Sequence, residues 1–99
     1  MTGLKKDLNV PRRMVVYAVF DILDQMGSQY EQTTMGDIKA EVKVLGNISE
    51  YAFAVTQLPQ GNSILHITMI RSMASLTEED KALAIRYLMD CILQHIEQI

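Results

Sequence analysis

The stretch Ile38-Lys39-Ala40-Glu41-Val42-Lys43-Val44 alternates apolar and charged residues at a strict period of two. Successive side chains on a strand point to opposite faces, so this spacing predicts a strand with one dry face and one wet face. Two more runs of the same period follow. Residues 51–58 place Tyr51, Phe53 and Val55 on one side and Ala52, Ala54 and Thr56 on the other. Residues 64–71 set Leu65, Ile67 and Met69 against Ile64, His66, Thr68 and Ile70. Gly46-Asn47 and Pro59-Gln60-Gly61-Asn62 mark the turns between them. Connections this short predict a three-stranded antiparallel meander.

Outward from the strands the period changes. Met14, Val15, Ala18, Val19, Ile22, Leu23 and Met26 recur at spacings of three and four, one face of a helix, which Val16, Tyr17 and Phe20 widen. Asn9 is the expected N-cap, Pro11 suits the first turn, and Gly27 supplies the stop. Towards the other end, Ala84, Ile85, Leu88, Cys91, Ile92, Ile96 and Ile99 form a second helical face. Ser75 or Thr77 is placed to cap it, with Glu78 or Asp80 three residues on. Residues 1–8 read as a flexible polar end and residues 28–35 as a polar connection. The expectation is therefore one α+β domain over residues 9–99. It is a two-layer α-β-β-β-α arrangement, with the three-stranded antiparallel meander carrying both helices on one face.

A chain of 99 residues has room for one core, and 48% hydrophobic against 21% charged residues is a globular balance rather than a disordered one. The net charge of −3 argues against nucleic acid as a partner, since phosphate binding depends on clustered Lys and Arg. Lys5, Lys6, Arg12 and Arg13 precede an apolar run as in a leader peptide. Asp21 and Asp24 interrupt that run, and no small-residue cleavage site follows. No stretch of ~18 apolar residues exists to span a bilayer, so no membrane role is expected. With Cys91 the single cysteine, no internal disulfide forms, and the expected compartment is the cytoplasm.

Motifs that carry chemistry are sparse. Cys91 and His95 share a helical face, but tetrahedral zinc takes at least three protein ligands and His66 is the one other histidine. Cys91 falls on the apolar stripe, the wrong setting for an exposed thiolate nucleophile. No nucleophile elbow surrounds any serine, and the glycines are isolated turn residues rather than a phosphate loop. The reading is of a protein that is not an enzyme and takes no metal and no cofactor. The order helix, three strands, helix is similar to that of double-stranded-RNA-binding domains. Here the last helix opens Thr77-Glu78-Glu79-Asp80-Lys81 and the first hairpin reads Gly46-Asn47-Ile48-Ser49-Glu50, so the basic residues and the loop histidine of those modules are missing.

Two functions from different classes remain. In the first, Ala52, Ala54, Thr56, Ile64, His66, Thr68 and Ile70 form a second sheet face too apolar for comfortable exposure. That face would be the interface of a homodimer, or of a protein partner such as a heteromeric subunit. In the second, an apolar ligand sits between helices and sheet, with Tyr17, Tyr87 and Met69 lining the pocket. Seven methionines suit either an adaptable surface or an ordinary core filled with flexible side chains.

Overall fold

In the computed structural model, which describes residues 3–34, 36–72 and 75–98, the alternating stretch is strand β3 (Ile38–Val44). It buries Ile38, Ala40, Val42 and Val44 and exposes Lys39, Glu41 and Lys43. Strand β4 (Asn47–Gln57) buries Tyr51 and Phe53, and β5 (Ser63–Ser72) buries Leu65, Ile67 and Met69, as the alternation requires. The three strands are consecutive and antiparallel.

The sheet is nevertheless five-stranded, in the order β1-β5-β4-β3-β2. Residues expected to be a flexible end form β1 (Gly3–Leu8), paired with β5 from Gly3↔Thr68 to Leu8↔Ser63. The expected polar connection holds a three-residue strand, β2 (Tyr30–Gln32), paired with the start of β3. Edge strands need only one partner and little apolar surface, which is why a polar stretch serves in both places. The element order is thus β-α-β-β-β-β-α, and it replaces the expected α-β-β-β-α. Ile99, which the sequence reading placed on the last apolar face, lies outside the described residues.

The first helix, α1 (Arg12–Gln25), has its N-cap two residues after the predicted Asn9. Pro11 holds the N-cap position, with no side-chain cap. Instead, the orphan N–H of Arg12 donates to Gln57 Oε1 at 2.8 Å, and the Arg12 guanidinium donates to the carbonyl of Val55 at 3.1 Å. A neighbouring strand thus does the work of the missing cap. At the far end Gly27, at φ +67°, takes the left-handed conformation; the bonds Ser28 N–H to Leu23 O and Gly27 N–H to Asp24 O close the helix. The second helix, α2 (Glu78–Glu97), is capped by Thr77, whose hydroxyl accepts from the Asp80 N–H at 3.1 Å.

Both helices lie on one face of the sheet. Val15, Ala18, Val19, Ile22 and Leu23 of α1 and Ala84, Ile85, Leu88, Met89 and Ile92 of α2 join the buried strand residues in one core. Each fully buried Val, Leu, Ile or Phe of this set contributes about 1.5–3 kcal/mol relative to exposure. The helices are also joined at the surface, where His95 Nε2 lies 3.0 Å from Asp21 Oδ2. Tyr30 pins β2 to α1 by stacking on Phe20 at 5.1 Å and donating to Asp24 Oδ1 at 2.8 Å. That bond and the neighbouring carboxylates raise the phenol above its usual range.

Candidate interaction surface

With the helices gathered on one side, the other face of the sheet carries no layer. Its centre is the β4–β5 pair, where register sets Ala52 beside Thr68, Ala54 beside His66 and Thr56 beside Ile64. Six of the seven residues expected to share this face therefore form three direct cross-strand neighbours. The seventh, Ile70, sits in a β-bulge: Glu50 pairs with Arg71 and Tyr51 with Met69, so Ile70 has no partner residue and stands exposed.

The relief of this surface follows from its residue types. Along β4 the side chains are small, Ala52 and Ala54, and make a trough. Along β5, Ile64, His66 and Thr68 make a ridge one strand spacing away, ~4.8 Å. The flanks are charged. Lys39 of β3 borders the trough beside Ala52, with Glu41 and Lys43 further along the same strand beside Glu50 and Ile48. Lys5 and Asp7 of β1 border the ridge, with Lys5 directly beside His66.

Gly3, Lys5 and Asp7 belong to this surface and were not found by sequence reasoning. The signal available was slight, Leu4 and Leu8 standing on either side of Lys6 at period two. Gly3 has a local reason to be glycine. A Cβ there would come within 3.0 Å of His66 Nε2 and 3.3 Å of the Ile67 carbonyl, so the imidazole lies over β1 only because no side chain occupies that spot. The same ring nitrogen is 3.4 Å from Thr68 Oγ1.

The residues expected to line a ligand pocket are not brought together. Tyr17 is 65% exposed and Tyr87 44%, both on outer helix surfaces, whereas Met69 is 5% exposed within the core. Neither of two cavities found among the described residues contains any of the three. The larger, about 300 Å³, is a polar notch at the sheet edge where β2 stops and β3 continues, lined by Tyr30, Glu31, Lys39, Glu41 and Glu50 among others. The smaller, about 150 Å³, lies between the β3–β4 hairpin and the start of α2. Cys91 is half-buried, His95 is engaged with Asp21, and His66 is on the opposite side of the sheet. Among the described residues no group of three or more His, Cys, Asp or Glu is placed to hold a metal ion, and no helix is long and apolar enough to cross a membrane.

Tyr51 borders the smaller cavity from the core side. Burial pushes its phenol above the ordinary value, and the nearby Ser49 hydroxyl partly offsets that. A raised acid pKa means the folded chain holds this proton more tightly than the unfolded chain does. Stability is therefore intact below pH ~10 and declines as pH rises from there through the folded value. Urea midpoints across pH 8–11 are expected to fall at the alkaline end, and to fall less steeply in Tyr51→Phe; equal slopes in both chains would show that Tyr51 titrates alike folded and unfolded.

No protein-family model matches this sequence, and no curated protein matches it. Several solved structures share the fold, two of them as follows. One is described as the adenylate sensor from AMP-activated protein kinase in complex with the nucleotide ZMP. It matches with a TM-score of 0.63 and 12% identity, over 100% of this chain and 98% of that one. The other, described as a START superfamily protein from Mycobacterium smegmatis, matches with a TM-score of 0.52 and 9% identity, over 98% and 94%. Identities this low speak for a shared α+β architecture and for nothing finer.

Proposed function

We propose that the chain is a non-catalytic interaction domain, cytoplasmic, that pairs with a second copy of itself through the uncovered sheet face. The observation that carries this reading is the trough of Ala52 and Ala54 lying one strand away from the ridge of Ile64, His66 and Thr68. A two-fold axis parallel to the strands, between β4 and β5, sets the ridge of each copy over the trough of the other. Such an interface is isologous, the commonest kind in homodimers, and aligned sheet packing at ~10 Å is its natural geometry.

Size sets the expected strength. Five strands at ~4.8 Å spacing and ~3.3 Å per residue give a face roughly 20 Å by 30 Å at its longest. A stable interface buries about 800 Å² per partner, so this one lies at the small end and the dimer should be reversible. The ligand-pocket reading draws no comparable support, because the space between helices and sheet is filled by side chains of the core. The names of the two fold neighbours lend this chain no ligand either, at 12% and 9% identity.

Native mass spectrometry and light scattering at several concentrations test the proposal. The wild type is expected to approach twice the chain mass as concentration rises, and Ile64→Asp to remain a folded monomer with an unchanged circular dichroism spectrum. A wild type that stays monomeric at every concentration would end the self-association reading. A dimer unaffected by Ile64→Asp would place the contact elsewhere.

A further inference from the structure

The hairpin joining β3 to β4 turns on Leu45 and Gly46, one residue earlier than the glycine–asparagine pair in the sequence suggests, with Val44 facing Asn47. Both central residues have positive φ, +51° for Leu45 and +87° for Gly46. Tight hairpins of this kind favour Asn, Asp or Gly at the first central position, and a bulky apolar residue there is a rare and strained choice. Burial does not explain it, since Leu45 is 62% exposed.

What Leu45 does instead is wall a groove. The cavity of about 150 Å³ beside it is bounded by Val44, Tyr51, Leu76 and Leu83 and by the polar Asn47 and Asp80, so it combines an apolar wall with polar groups and a carboxylate. Leu83, across the groove on α2, is 51% exposed. The first turn of α2 adds Glu78 and Glu79 to Asp80; Lys81 reaches back to Glu78 at 3.3 Å and leaves the rim net negative. The volume is that of one large aliphatic or aromatic side chain, not of a drug-sized ligand, which takes ~300 Å³ or more.

We propose that this groove is a docking site for a partner protein, and that it takes one bulky apolar side chain flanked by lysine or arginine on a short exposed segment. The apolar chain enters between Leu45 and Leu83, and the basic neighbour answers the carboxylates at the start of α2. The site lies at one end of the helix layer and is independent of the uncovered sheet face. It also accounts for Leu45, because the strained residue is the one that completes the apolar wall.

The probe is a set of three peptides, Gly-Lys-Phe-Lys-Gly, Gly-Lys-Ser-Lys-Gly and Gly-Glu-Phe-Glu-Gly, titrated into the isotope-labelled full chain while amide chemical shifts are followed. The first is expected to bind with a dissociation constant of about 1 mM, as one side chain allows, shifting amides at 44–47 and 80–84. The serine and glutamate peptides are expected to bind at least about tenfold more weakly. Leu45→Asn separates docking from folding: its melting temperature should rise by a few degrees as strain is relieved, while the first peptide loses about tenfold in affinity. Three results would each overturn the proposal. They are no shift in these amides at saturating peptide, equal binding of the glutamate peptide, and a lower melting temperature in Leu45→Asn, which would make Leu45 a structural residue.

Discussion

Phe53→Ala is expected to lower the free energy of unfolding by about 3–5 kcal/mol, the range for truncating a buried aromatic residue. Phe53 is fully buried at the centre of β4, where it pairs with Ile38 on one side and Ile67 on the other. Its ring lies 6.5 Å from that of Tyr51, and neither can swing far in a core closed by two helices. A domain of this size has only roughly 5–15 kcal/mol in total, so the variant should melt about 15–30 °C lower or fail to fold at all. Urea unfolding with an unchanged slope would measure the loss. A cost under ~1 kcal/mol would mean that the surrounding side chains collapse into the space, and that the core is looser than its burial implies.

Removing residues 1–8 is expected to be nearly as damaging, although those residues are mostly charged or exposed. Leu8 is buried, which contributes about 1.5–3 kcal/mol, and the half-buried Leu4 packs against the core and adds less. Without β1 the outer edge of β5 opens along Ser63–Thr68, where six residues now pair. Leu65 and Ile67, fully buried in the intact chain, would then border solvent. Light scattering should detect aggregation of the shortened chain, since an unprotected hydrophobic edge invites pairing with other chains. A truncated protein that remained soluble with an unchanged urea midpoint would show β1 to be an ornament of the sheet.

These two predictions bracket what could be read in the sequence. The three inner strands announce themselves because each has one buried and one open face, and alternation from Ile38 to Met69 records that directly. The same alternation named six residues of the open face that register then made direct neighbours. The edge strands left almost no trace. In β1 the helix-side positions are Leu4, Lys6 and Leu8, so a charge interrupts the apolar period where the strand looks out past the helices. In β2 all three residues are exposed. The cap of α1 was misplaced for a different reason: its partner is Gln57, forty-five residues away, and no local pattern could signal it. The turn at Leu45 was hidden because leucine is the wrong residue for its backbone conformation, and sequence rules report only the usual choice.

The register of the outer strand has a consequence for how the chain reaches this fold. The inner hairpins close over short loops, whereas Gly3 must find Thr68 and Leu8 must find Ser63. Loop closure over more than fifty residues costs entropy that local contacts do not repay, and non-local pairing slows folding. Strand β1 is therefore expected to be seated last, after nearly all of the meander is in place. During that interval the edge of β5 lies bare, so the moment of greatest risk for misassociation comes late, when the molecule otherwise looks almost finished.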